Sequence, residues 1–397
     1  MRMQLSRTLS LATCALAFVG VARADSRLAL GSTFFRESGG PLNMLVIAPA
    51  AEASVELIDE LAIDANWTAD IVSGASVAVV DDPGAVDAIT SASLTDIRHA
   101  FNGGMELRGE TTSLHVGMGY AFENDYRSLS FDLNARTELF DRNTGLQISY
   151  ARGVDEVCDA PNAPGEHARL DTSIGCFKGA AGRATRDLAL HTFVGSWTQA
   201  WTPVLTMQTS LTAQLLNGFQ ANPYRAVWNG SASQERHPDN RARYSAGLEF
   251  RLWIKPMNGA LSAFGRAYRD SWAVTSLTGE LAYEQVVGGG LRLRAQARYY
   301  NQSGAAFYSD DYVLQPRGQY FTGDRELSPM RSVLIGAKLT WSVPANDEGM
   351  VLGVLNTFEL VAKADLLKSW FDDFHYGAQA VPNTLALIGS LGLQAGF

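Results

Sequence analysis

The chain has 397 residues, with 32 Lys and Arg against 41 Asp and Glu, for a net charge of −9. An acidic balance argues against nucleic acid as a partner. Charged residues make up only 18% of the chain, which is low for a soluble protein of this size.

The N-terminus reads as a secretory signal. Arg2 and Arg7 supply a positive start, Leu9 to Val21 a short apolar stretch, and Ala22-Arg23-Ala24 a small-residue cleavage site. Residues 1–24 are thus expected to leave, with Asp25 the first mature residue and residues 25–397 a single barrel domain. Cleavage removes Arg2, Arg7 and Arg23, so 29 basic residues face 41 acidic ones and the net charge becomes −12. A lipoprotein signal ending at Cys14 is disfavoured because too little apolar sequence precedes it.

Beyond the signal, apolar and polar residues alternate with period two in segments of about ten residues. In 61–72, Leu61, Ile63, Ala65, Trp67, Ala69 and Ile71 point one way, and Asp64, Asn66, Thr68 and Asp70 the other. The same pattern predicts strands over 27–37, 42–57, 61–72, 97–108, 111–123, 127–139, 144–153, 187–198, 203–216, 241–254, 260–270, 275–286, 291–302, 331–343, 351–365 and 383–397. Outward sets include Leu114, Val116, Met118, Tyr120 and Phe122, and then Leu129, Phe131, Leu133 and Ala135. No mature stretch reads as a spanning helix. Ala380–Phe397 lacks charge, but Pro382, Asn383 and its alternating small residues suit a strand.

Twelve of the thirteen prolines fall in expected turns or loops. Pro49 alone interrupts an apolar run, where a bulge or kink is expected. Connections alternate in length. Short turns follow residues 57, 108, 139, 198, 254, 286 and 343; long loops cover 73–96, 154–186, 217–240, 303–330 and 366–382, with three short links, 38–41, 124–126 and 271–274, on that side. Short periplasmic turns with longer outside loops are the habit of outer-membrane barrels. The expected fold is therefore all-β: an antiparallel up-and-down transmembrane β-barrel of about 16 strands (14–16), in the outer membrane of a double-membraned bacterium.

Trp197, Trp201, Trp253, Trp341 and Phe140 lie near short turns, as an aromatic girdle or ordinary barrel-end packing would place them. The chain ends at Phe397, on one face with Ala395, Leu393, Leu391 and Leu387. A terminal aromatic on an amphipathic last strand is read as an assembly signal for the barrel-assembly machinery. Cys158 and Cys176 share one long loop and, in an exported chain, are expected to form a structural disulfide. Such a bridge would contribute about 3 kcal/mol in the chain-entropy picture. A redox or metal pair is the alternative.

Function is sought on the inward face. Gly288-Gly289-Gly290 predicts a three-residue turn that sets Glu284 opposite Arg294 and Glu280 opposite Arg298. Arg292 extends this lumen ladder. Other inward charges are Asp64, Asp70, Asp132, Arg136, Glu138, Arg243, Glu249, Arg251, Lys338, Glu359, Lys363 and Asp365. Two readings stay open: a charged filter in a wet channel, or a salt-bridge network that fills the lumen. A barrel of this strand number is wide enough for water unless loops fold in.

Catalytic signals are weak. The chain has no G-x-S-x-G, H-E-x-x-H or P-loop motif, and its six histidines are scattered. His115 and His191 lie on strands, with no nucleophile tied to either. Acid pairs such as Asp310-Asp311 read as loop solvation rather than a metal site. No cofactor is implied, and nothing identifies an oligomer interface.

Four stretches resemble motifs of the DUF3570 family of exported bacterial proteins. They are Asp70-Ile-Val-Ser-Gly-Ala-Ser76, Val86-Asp-Ala-Ile-Thr-Ser-Ala-Ser93, Tyr268-Arg-Asp-Ser-Trp-Ala-Val-Thr-Ser-Leu-Thr278 and Arg298-Tyr-Tyr-Asn-Gln-Ser-Gly-Ala-Ala-Phe-Tyr308. The resemblance implies an outer-membrane barrel and carries no catalytic residue. Asp70, Asp87, Asp270, Trp272 and Tyr300, within or beside these motifs, are expected at the extracellular mouth, where they would pack the loops or serve tight turns. The functional expectation is passage of small polar solutes through a mixed-charge lumen. A structural or assembly barrel is the alternative, and a membrane-embedded enzyme comes third.

Overall fold

The computed structural model describes residues 26–39, 42–73, 95–123, 126–158, 177, 185–221, 226–228, 232–309, 318–344, 351, 355–376 and 379–397. In chain order its strands are β1 (Arg27–Gly39), β2 (Leu42–Ile58), β3 (Leu61–Ser73), β4 (Thr95–Arg108), β5 (Thr112–Phe122), β6 (Tyr126–Leu139), β7 (Thr144–Cys158), β8 (Thr185–Thr202), β9 (Leu205–Gly218), β10 (Ala226–Trp228), β11 (Ala232–Gln234), β12 (Asn240–Ile254), β13 (Gly259–Asp270), β14 (Thr275–Gly288), β15 (Leu291–Gln302), β16 (Met330–Ser342), β17 (Thr357–Phe371), β18 (His375–Tyr376), β19 (Gln379–Ala380) and β20 (Asn383–Gly396). Sixteen of them close a barrel in the order β1 to β9, β12 to β17, β20, each antiparallel to its neighbours. The pairs β10–β11 and β18–β19 are small separate hairpins in the long connections, which period-two reading did not anticipate.

Alternation decides which side chain faces which solvent. On β5, Leu114, Val116, Met118, Tyr120 and Phe122 are all exposed on the outer surface, at 37–55%. Leu129, Phe131 and Leu133 continue the same surface on β6. An exposed apolar belt of this extent is untenable in water and is what hydrocarbon requires. The buried polar residues Gln214, Ser262, Ser276, Thr340 and Asp365 occupy the opposite phase, toward the lumen. No helix is long and apolar enough to cross a membrane among the described residues.

The hairpin ends follow local chemistry. β14 and β15 meet at Gly289-Gly290, with φ +60° and +79°, so this is a two-residue turn rather than a three-residue one. Positive φ at both central positions suits the twist of a tight hairpin and favours glycine. A register shift between Val286 and Gly288 absorbs the extra residue, so Glu280 still faces Arg298 and Glu284 still faces Arg294. Pro49 produces no shift: the β2–β3 register is the same at Ile47↔Ile71 and at Ala50↔Thr68, with pairs missing between them, and the shift in this hairpin falls near its turn, between Glu56 and Ile58. Between β16 and β17 the connection runs from 343 to 356, twice the expected length. Trp197, Trp201 and Trp341 are exposed on the outer face near short turns, and Phe140 projects from one. Trp253 is different. Its neighbour Leu252 faces outward with Leu261, so the alternation turns Trp253 toward the lumen.

Residues 1–25, which carry the expected signal, lie outside the described residues, as do Asp87 and Cys176.

The two faces make opposite demands on a new charge. Leu133→Arg should cost about 2–4 kcal/mol of unfolding free energy in bilayer-inserted protein, the usual cost of Arg near the midplane. Asn134→Arg, one residue along and facing the lumen, should cost a small fraction of that. Denaturant unfolding of both variants in vesicles checks this, and equal costs would overturn the face assignment.

Candidate functional site: lumen walls and mouth

The lumen ladder forms from one hairpin and its neighbours. Arg298 donates to Glu280 at 3.0 Å, and Arg294 also reaches Glu280, diagonally, at 3.3 Å. Glu284, in register with Arg294, takes no ion pair among the described residues. Arg292 instead donates to Glu359 on β17 at 2.7 Å, and Ser342 Oγ donates to the same carboxylate at 2.9 Å. Above them Lys363 meets Asp365 at 2.8 Å, and Gln296 donates to Asp365 at 3.1 Å. The arginines are therefore held flat against the wall by acids on the same wall.

A second cluster lies on β3, β5 and β6. His115 Nε2 is 2.9 Å from Asp64 Oδ1, and His115 Nδ1 is 3.2 Å from Asp132 Oδ2. All three side chains face the lumen and remain partly exposed to it. Glycines make room for this bridge. A Cβ at Gly104 would lie 2.4 Å from His115 Nε2, and one at Gly117 would lie 2.4 Å from Asp132 Oδ1. His115 reads as isolated in sequence because its partners are 51 and 17 residues away. The glycine run Gly103-Gly104, with Gly117 and Gly119 across the ladder, is the signal that could have marked it.

The two clusters oppose each other. β5 and β15 are eight strands apart in both directions around the sixteen-strand ring. Set aside the loop-end residues Asp70 and Arg98, which lie in register, and Asp270, which pairs with Arg241. The wall from β2 to β6 then presents Glu52, Glu56, Asp64, Glu106, Asp132 and Glu138 against Arg108 and Arg136. From β13 to β17, the wall presents Arg266, Arg292, Arg294, Arg298, Lys338 and Lys363 against Glu280, Glu284, Glu359 and Asp365. One wall is net acidic and the other net basic, which directs a field across the lumen.

The long-loop end has its own construction. Asp270 ends β13, almost fully buried. Its Oδ2 accepts from Arg241 at 2.8 and 2.5 Å and from the Tyr268 hydroxyl at 2.9 Å. Its Oδ1 accepts the backbone N–H groups of Trp272 and Val274. Trp272 is 4% exposed and donates from its indole to Asn240 O at 3.0 Å, with the Arg241 guanidinium 4.1 Å above its ring. His237 and Phe307, from two different long connections, each meet the Trp272 ring edge-on at 5.1 Å. Tyr300 donates to Gln302, which donates in turn to the carbonyls of Glu326 and Ser328. Asp70 does not join this group. It lies opposite Arg98 on the far side of the ring.

The connection between β15 and β16 is strung across this end. Phe321 exchanges backbone hydrogen bonds with Arg236, and Thr322 donates to Glu235 at 2.7 Å, which ties it to the β9–β12 connection. At its other end Arg325 donates to Glu37 of β1 at 2.9 Å, with both side chains buried. The Tyr308 hydroxyl donates to Asp373 O, beyond β17. β1 and β12 are seven strands apart the short way round, close to a diameter, so this segment and the β9–β12 connection together bridge the mouth. Two apolar pads face inward below it. One contains Tyr126, Val157, Leu188, Leu190 and Leu216; the other contains Leu334, Leu367 and Ala386. The Tyr126 hydroxyl donates to buried Asp155 at 2.6 Å within the first pad. Among the described residues, no group of three His, Cys, Asp or Glu could hold a metal ion.

Cys158 ends β7 fully buried, and Phe397 packs at the short-turn end beside Val351, Leu355 and Ala395, its N–H donating to Ser26 O at 2.9 Å.

Trp272 holds two connections through ring contacts, so Trp272→Ala should release both. Limited proteolysis of the folded variant should cut within 303–329 at least several-fold faster than in the unchanged chain. An unaltered cleavage rate would show that the turn alone orders the mouth.

The chain matches the family model described as "Protein of unknown function (DUF3570)" over residues 7–354. Among curated proteins no match is found. Among solved structures it is similar to a bacterial polysaccharide outer membrane secretin, with a TM-score of 0.51 and 9% identity, covering 94% of this chain and 99% of that one. It is also similar to the siderophore receptor PirA from Acinetobacter baumannii, with a TM-score of 0.48, 11% identity, and 94% and 60% coverage. A third is OccD3 (OpdP) of Pseudomonas aeruginosa, with a TM-score of 0.45, 9% identity, and 95% and 96% coverage. At such identities the likeness is one of fold. A closed sixteen-strand barrel with an apolar outer belt, matched by the family model over nearly its whole length, belongs to the DUF3570 family.

Proposed function

We propose that the barrel sits in the outer membrane, short turns toward the periplasm, and passes small polar solutes through its lumen. The observation that carries this reading is the opposed polarity of the lumen walls. A transverse field orders dipolar and zwitterionic solutes and slows apolar ones, and it acts on whatever water and solute occupy the space between the walls. On this reading Glu280, Glu284, Arg292, Arg294 and Arg298 form the basic face of a filter, and Asp64, His115 and Asp132 the acidic face. Asp270, Trp272 and Tyr300 hold the mouth in shape; Asp70 and Asp87 belong to its rim. Residues 1–24 serve as a cleaved export signal and Phe397 as the assembly signal. A Cys158–Cys176 bridge closes the outside loop that follows β7.

A second reading rests on the segment strung across the mouth. With Arg325 anchored to Glu37, the barrel would be closed at rest and serve as a scaffold for a surface or periplasmic complex.

Single-channel recording of the refolded mature chain in a planar bilayer separates the two. The channel reading expects steady ohmic openings, with ion selectivity shifted toward cations by a joint Arg294→Gln and Arg298→Gln substitution. Arg325→Met should raise conductance at least two-fold by freeing the crossing segment. Silence from inserted protein, in the Arg325→Met variant as well, would overturn the channel reading and favour the scaffold.

A further inference from the structure

The outer wall carries an unexplained polar feature. Arg152 lies on the lipid-facing side of β7, six residues before the strand ends, in register with Phe131 and His191. It is exposed and makes no ion pair with a described residue. Arg269, one residue before the end of β13, is also exposed, faces outward and lacks such a partner. An outward arginine is costly at the bilayer midplane and cheap at the headgroup level. Tyr150 marks that level. Its ring meets that of Phe193 at a tilt, 5.0 Å between centroids, and its hydroxyl meets His191 Nδ1 at 2.9 Å.

Directly below is a recess of about 620 Å³, open to the side and almost wholly apolar. Phe193 and Tyr244 stand beside it, and Gly195, Ala213 and Ala246 form its floor. Phe193, Ala213, Tyr244 and Arg269 fall on one row of the ladder, so Arg269 closes the row on the β13 side. A Cβ at Gly195 would meet nothing within 4 Å, so the space is not there to relieve a clash.

We propose that this face binds a phosphorylated glycolipid of the outer leaflet, one acyl chain in the recess and its headgroup phosphates divided between Arg152 and Arg269, which stand four strands, roughly 19 Å, apart. Two unpaired cations above an apolar slot match an anion with a hydrocarbon tail. A second copy of the chain fits less well, because a two-fold contact would set like charges against like. The inference rests on the outer-membrane reading. Failure of that reading would show separately, as refolded chain that does not enter bilayers.

The test uses the refolded full-length chain in zwitterionic detergent, titrated with diphosphorylated lipid A and followed by native mass spectrometry. One tightly held lipid A per chain is expected. The joint variant R152Q/R269Q should bind at least ten-fold more weakly. G195L, which fills open space, should weaken binding without altering the heat-modifiable mobility of the folded barrel. Equal affinity of the double variant, or equal retention of phosphatidylcholine, would overturn the proposal. So would a dimer whose formation G195L abolishes in the absence of lipid, since that would assign the recess to a second copy.

Discussion

Everything in this molecule depends on the closure of its backbone ladder. A peptide group in hydrocarbon finds no water, so every N–H and C=O at that depth must bond within the protein. β1 meets β20 from Arg27↔Gly396 to Ser38↔Leu385, and the ring has no free edge. Closure then forces the rest. Strands that cannot gain from a helix-like stripe must show one face to lipid and one to the lumen. Proline is tolerated within a strand only where a few pairs can be lost, as between Ile47 and Ala50. The lumen, freed from packing a core, can hold charges that a globular interior of this size would reject.

The charges are not scattered over that space. Acids predominate from β2 to β6 and bases from β13 to β17, with His115 and Arg294 on strands half a turn apart around the ring. Each wall also pays its own desolvation locally, through Glu280 under Arg294 and Arg298 and through the two aspartates around His115. Partial neutralisation lets the side chains lie flat and leaves a path between the walls. At the long-loop end the logic reverses. There Asp270 is buried with five hydrogen bonds, and Arg325 and Glu37 are buried against each other. Desolvated pairs of this kind fix geometry and are strongly destabilising to break from one side. They suit a rim that must hold its shape.

Much of this was legible in the chain. Period two gave all sixteen barrel strands, because each must satisfy the same two solvents along its whole length. The hairpin around Gly289-Gly290 gave the facing of Glu280 and Arg298, since a tight turn transmits register directly. The contacts themselves were less legible. Arg294 chooses Glu280 over Glu284, and Arg292 chooses Glu359, because long side chains reach diagonally and across strands. His115 is not legible as a site since its aspartates come from two other strands, and nearness to a turn leaves girdle and barrel-end packing open for Trp253, which only its phase against Leu252 decides. The crossing segment could not be read at all. Arg325 and Glu37 are 288 residues apart, and only the closed ring brings them together.

The central claim is that one face of each strand meets lipid and the other meets a wet lumen. Substituted-cysteine accessibility along β5 tests it most directly, with a water-soluble, membrane-impermeant thiol reagent applied to protein in vesicles. Single cysteines at Ser113 and His115 should react, and those at Leu114, Val116, Met118 and Tyr120 should be protected. A uniform response along the strand, or protection of both sets, would contradict the account.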